Sequence, residues 1–246
     1  MTRRARLWLF APAVTALGAL LVWAVAGLPD FGSTEHRYGY LLNHVALPER
    51  HMTNAVTALV FDYRGFDTMG EEFILFAAVT GVVLLLRQHE REGGRGKSDS
   101  TRSDAIRVTG VLGVGLGVLV GLWLVAFGFV TPGGGFQGGV AVASGVVLLY
   151  LAADYRAWSR VGRLEVLEPF EGVGAGAYVV IGIAALIGGM PFLTNLLGPG
   201  DAGTVWSGGS AALVNWAAGT EVAAANLLLF REFLEEYIVP LHGERA

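Results

Sequence analysis

The chain has no cysteine, which excludes disulfide frameworks, thiolate metal sites and cysteine nucleophiles. Charge is scarce too. Only 15% of its 246 residues are charged, against about 25% in a typical soluble domain. A net charge of −4 offers no basic surface for nucleic acid. The pattern shows no Ser/His/Asp or paired-carboxylate constellation suited to hydrolysis and no ligand set for a redox cofactor. The reading is therefore of a protein that is not an enzyme, with no cofactor and no metal. Its histidines (His36, His44, His51, His89 and His242) fall in expected loops or tails, and His44 and His51 do not stand at an established ligand spacing.

Apolar residues fill the space that charge leaves, at 53% of the chain. A spanning helix needs roughly 20 of them in a row to cross a hydrocarbon core about 30 Å thick. Six stretches come close to that length: residues 7–28, 68–86, 106–130, 135–151, 172–190 and 211–230. The fold expected is all-α, a polytopic membrane helix bundle of about six transmembrane helices. The 36 glycines lie largely inside these runs, where they favour close helix contact. Gly110, Gly113, Gly117 and Gly121 in particular share one helix face.

The basic residues orient the bundle. With both termini cytoplasmic, 14 of the 17 Lys and Arg lie inside, and only Arg37, Arg50 and Arg64 lie outside. The positive-inside rule expects that bias. The first span reads as an uncleaved anchor, with cleavage after Ala24-Val25-Ala26 as the competing reading. Residues 51–62 are apolar but too short to span, so they are expected at the interface or as a buried half-helix. The polar stretch REGGRGKSDSTRSD divides the chain. It leaves a two-span module at 1–90, a cytoplasmic linker at 91–104 and a four-span module at 105–246.

Two segments carry chemistry. In the first, Asp62, Arg64, Asp67 and Glu71 stand just before an apolar run. Charges at that depth are functional candidates because they are costly unless paired or hydrated. Arg64 is placed for a local ion pair with Asp62 or Asp67. Thr68 and Glu71 also have capping-box spacing, which is the purely structural reading of Glu71. Glu72 is adjacent and points to a different face. In the second segment, Pro132, Gly133, Gly134, Gly135, Phe136, Gln137, Gly138 and Gly139 end one span and open the next. Two readings stand open there: free helix-start amides that attract an anion or polar ligand, or a tight connection between packed helices. A further carboxylate, Glu221, lies near the middle of the last span with Asn215, Thr220 and Asn226 around it. It is either a translocation group or a neutral acid bonded across helices.

The stretch Pro132–Gly139 between two spans resembles the signature of the MnhB/MrpB family, small subunits of Mrp-type Na⁺ (or K⁺)/H⁺ antiporters. That likeness covers about residues 103–237, with Gln137 departing from the aliphatic residue common there. The stretch Asp62–Glu71 is similar to the C-terminal tail of the large A-type subunit of the same complexes, and to the small E-type subunit of membrane-bound hydrogenases, over about residues 54–87. The order looks like the tail of the A-type subunit fused to an MnhB-type subunit.

The resemblance implies a multi-pass protein of the cell membrane. Its expected partners are other antiporter subunits, the lipid bilayer, the transported Na⁺ or K⁺ and protons, with no nucleic acid. It also implies movement of ions through chains of buried titratable groups, with Asp62, Asp67, Glu71 and Glu221 as the path candidates. The alternatives are a membrane-arm subunit of a hydrogenase-like redox complex and a structural assembly subunit without conducting residues.

Overall fold

A computed structural model describes residues 3–28, 37–90 and 103–238. Among them the regular structure is entirely helical, as the composition predicts. The chain divides into two units, residues 1–41 and 42–246. In the first, α1 (Arg3–Ala26) is apolar from Phe10 to Ala26. Seventeen residues rise about 26 Å, a little short of the hydrocarbon core. The five later spans are long enough to cross: Gly65–Leu86, Asp104–Phe127, Gly135–Ala153, Leu164–Ile187 and Ser210–Glu235. The linker placed at 91–104 falls almost wholly outside the described residues, as do His36, His242 and Arg245.

The second unit holds most of α2 (Arg37–Arg50), a single turn α3 (Ala55–Ala58) that runs into a π turn (Leu59–Tyr63), then α4 (Gly65–Glu90), α5 (Asp104–Phe127), α6 (Gly135–Val161), α7 (Leu164–Ile187) and α8 (Ser210–Ile238). Residues 55–63 are the expected buried half-helix. Ala58 and Phe61 join Met52, Phe129, Tyr178 and Ala218 in one apolar core. His44 and His89, expected in loops, lie on α2 and α4 instead.

Two boundaries differ from expectation, each for a physical reason. Helix α4 opens at Gly65, so Thr68 lies inside the helix and the Thr68–Glu71 capping box does not form. The Thr68 hydroxyl instead donates to the Val60 carbonyl at 2.6 Å, across the irregular π turn. Helix α7 begins at Leu164 rather than near 172. Apolar counting stops at Glu168 and Glu171, whereas the helix continues through them.

Helix α8 is the centre of the bundle. About 61% of its span is buried, against 11% for α5 at the edge, and it packs on α4, α6 and α7. Helices α5 and α6 meet through the glycine face. A Cβ on Gly117 would come within 2.7 Å of the Gly145 Cα, and one on Gly121 within 2.5 Å of the Val142 amide nitrogen. Only glycine permits that approach.

Candidate ion pathway

The two sequence motifs meet in space. Asn54 caps α3 with its side-chain oxygen, which accepts from the amides of Val56 and Thr57. Its amide group donates to the carbonyls of Gly128 (2.7 Å), Thr131 (3.0 Å) and Gly133 (3.2 Å). The Thr57 hydroxyl also donates to Gly128 at 2.7 Å. From the other side, Asn215 of α8 accepts from the Gly135 amide and donates to the Val125 carbonyl, both at 2.7 Å.

The loop Thr131–Gly134 is thus a tight connection, its Thr131 and Gly133 carbonyls met by Asn54 and the backbone on either side of it by Thr57 and Asn215. The α6 start is closed by Asn215, so the open ligand site gives way to the tight connection. Gly133 and Gly134 have φ of 137° and 151°, and a Cβ on Gly135 would strike the Asn215 carbonyl oxygen. Gln137 and Pro132 are exposed, while Phe136 packs on the core.

Beside this joint lies a vestibule of about 490 Å³, lined by Glu49, Arg50, Asp62, Tyr63, Asp67 and Asn195 among others. Arg64 pairs with Asp67, Nε to Oδ2 at 2.6 Å. Asp62 pairs instead with Arg50 at 2.7 Å. Burial pushes the Asp62 carboxyl above its ordinary 3.8, and Arg50 pulls it back part of the way. The Tyr63 hydroxyl donates to Glu49 at 2.8 Å. Burial and that bond push it up to about 12. The loop after α7 is held over this end of the bundle by His51. Its ring nitrogen Nδ1 bonds the Gly200 carbonyl, and its own carbonyl accepts from the Ser207 hydroxyl.

Deeper in the bundle, three helices turn carboxyls inward. Glu72 of α4, Glu221 of α8 and Glu171 of α7 are exposed by only 1%, 0% and 4%. Glu72 and Glu221 face each other, and Glu171 lies within electrostatic reach of Glu221. Among the described residues, Glu72 and Glu221 meet no polar side chain but each other, and one oxygen of Glu171 has no hydrogen-bond partner. Ionised carboxyls only accept, so two that face each other in a dry site need a shared proton or a cation between them. Gly174 makes room for the pair, since a Cβ there would come within 2.7 Å of the Glu221 Cβ. Toward the vestibule, the Tyr178 hydroxyl donates to the Gly65 carbonyl at 2.8 Å and lies within electrostatic reach of Glu72.

Of the residues singled out from sequence, Glu221 reaches this cluster. Asp62 and Asp67 line the vestibule, and Glu71 faces outward. The interior partner is Glu72. Helical spacing alone separates the two faces of a Glu-Glu pair, but it does not say which face has a protein neighbour. Among the described residues, no three His, Asp or Glu side chains are grouped to hold a metal ion.

Residues 105–228, just over half the chain, match the family described as a domain related to the MnhB subunit of Na⁺/H⁺ antiporter. The chain belongs to the MnhB family. Among its relatives is an uncharacterized protein of Methanocaldococcus jannaschii, 29% identical over 63% of this chain and 64% of that one. A Rhizobium meliloti protein, named as the probable A/B subunit of a K⁺/H⁺ antiporter, is 30% identical over 58% of this chain and 16% of its own length. The B-type subunit of a Bacillus subtilis Na⁺/H⁺ antiporter is 33% identical over 33% of this chain and 56% of its own length.

The matches therefore span less than two thirds of each of these relatives. In three dimensions, a chain of the membrane-bound sulfane sulfur reductase, an archaeal respiratory membrane complex, superposes with a TM-score of 0.69 and 27% identity, covering 96% of this chain and 99% of that one. A chain of the Mrp complex from Dietzia shares the fold, with a TM-score of 0.64 and 23% identity over all of this chain and 27% of that one.

Proposed function

We propose that this MnhB-family chain is a non-enzymatic subunit of a multisubunit monovalent cation/proton antiporter of the cell membrane, working with larger subunits. Within it, Glu72, Glu221 and Glu171 pass protons between the vestibule and the opposite half of the bundle. The observation that carries this reading is the set of buried carboxyls on three different helices, two of which face each other. Burying even one such group is costly, and a chain built only for assembly has no use for three. The relatives named as antiporter subunits supply the cation/proton exchange.

The path would run from the vestibule at Asp62 and Asp67, past the hydroxyls of Thr68 and Tyr178, to the facing pair Glu72/Glu221 and on to Glu171. Each carboxyl can accept a proton, rotate and give it to the next, so exchange needs no covalent intermediate. The test is to express the whole complex in cells lacking their own antiporters and measure cation-driven proton movement in inverted vesicles. Glu72→Gln and Glu221→Gln are expected to abolish exchange with the complex still assembled. Normal exchange in both variants would leave a structural role.

A second reading has its own support. The near-complete superposition on a chain of a respiratory reductase favours a membrane-arm subunit of a redox-driven complex. Iron–sulfur proteins co-purifying with the tagged chain would decide for it.

A further inference from the structure

Asn195 stands in the loop between α7 and α8, and its side chain uses all of its hydrogen-bonding capacity. Its oxygen accepts from the Ser210 amide at 2.9 Å and the Ser210 hydroxyl at 3.0 Å, at the first residue of α8. Its amide group donates to the Gly208 carbonyl at 2.8 Å and also meets the Asp62 carboxyl. Two donors and two lone pairs are all that an asparagine side chain offers. One residue thus joins Asp62 of the vestibule to the start of the helix that carries Glu221.

The backbone is bent to put it there. Leu193, two residues earlier, has a φ of 63°. A bulky side chain is rarely found in that left-handed region, and residues so held cluster at functional sites. The Leu193 side chain is held on the apolar core, and Asn195 is fixed by Ser210. Residues 188–200 carry no charged side chain. The charged and titratable groups around Asp62 come from elsewhere: Arg50 and Glu49 of α2, with Tyr63, Arg64 and Asp67 beside it in the vestibule lining. Arg50 already pairs with Asp62 at 2.7 Å. From the loop's side an amide N–H meets the carboxyl, and such a donor favours the ionised form without adding charge.

We propose that Asn195 is a positioning residue: it holds the Asp62 carboxylate in its Arg50-paired orientation and ties it to the start of α8, so that the loop after α7 governs proton uptake at the mouth of the path. The role in transport rests on Asp62 belonging to that path, while the positioning itself stands on the bonds of Asn195.

The test follows Asp62 directly in the intact complex. A carbodiimide attacks only a protonated carboxyl, so the rate of labelling at Asp62, read by mass spectrometry against pH, gives the midpoint of its protonation. Asn195→Ala removes the donor without adding charge. The midpoint is expected to rise by about one pH unit, the scale of one hydrogen bond to a charged group. Ser210→Ala loosens the same joint and leaves the donor in place. It is expected to lower the melting temperature and keep the midpoint of wild type. If Asn195→Ala does not assemble, Asn195→Asp takes its place, keeping an acceptor for Ser210 while losing the donor, with the midpoint again expected to rise. An unchanged midpoint without the Asn195 amide would overturn the proposal, as would an equal rise in Ser210→Ala. The pH profile of exchange is measured in the same variants. If the labelling midpoint moves while that profile does not, the path through Asp62 fails and the positioning stands.

Discussion

Glu71 and Glu72 are chemically identical neighbours, yet one faces outward and the other is 1% exposed against Glu221. Their substitutions should therefore separate. Glu72→Gln is expected to reduce cation/proton exchange by about 100-fold or more, the usual scale for losing a proton-transfer group. Glu71→Gln should stay near wild type in the same vesicle assay.

At the vestibule, Asp62 has its carboxyl raised above 3.8 mainly by burial. The folded protein thus holds this proton more tightly than the unfolded chain does. Its contribution to stability is fully present below 3.8 and is lost as pH rises through the raised value. Thermal melting of the purified complex should show Asp62→Asn gaining on wild type as pH rises across that window. A constant difference at all pH values would place the raised ionisation elsewhere.

Between elements, backbone proximity and polar satisfaction set the geometry. Gly121 lies where a Cβ would meet the Val142 nitrogen at 2.5 Å. Gly121→Val should separate α5 from α6 and cost about 1–3 kcal/mol, the range for overpacking. Unfolding in mixed detergent would read it as a lower midpoint. Asn215 bonds both the Gly135 amide and the Val125 carbonyl. Asn215→Leu leaves two buried backbone groups unpaired at about 1–3 kcal/mol each. Its effect should exceed that of Thr220→Val, because the Thr220 hydroxyl bonds only within its own helix, to Trp216.

The glycine face was legible from spacing alone because 3.6 residues per turn place such positions together on any helix. The Asn54 and Asn215 bonds were not. They join residues about 80 positions apart, and no local pattern encodes them.

For the whole molecule, the hydrophobic length of each segment decided that the chain crosses a membrane, and the Pro132–Gly139 motif pointed to the family to which it belongs. Those properties are local: a run of apolar residues must leave water, and a Pro-Gly run must end a helix. Apolar counting started α7 late because Glu168 and Glu171 interrupt the apolar run, although the fold buries Glu171. Which carboxyls face one another depends on how α4, α7 and α8 rotate about their axes. That rotation is set by contacts such as Gly174 against Glu221. Sequence alone determined that the chain has membrane-length helices, which glycines share a face, and that Glu221 lies within a span. Only the tertiary structure decided that Glu72, Glu221 and Glu171 form one buried set, because burial and proximity belong to pairs of helices and not to either helix by itself.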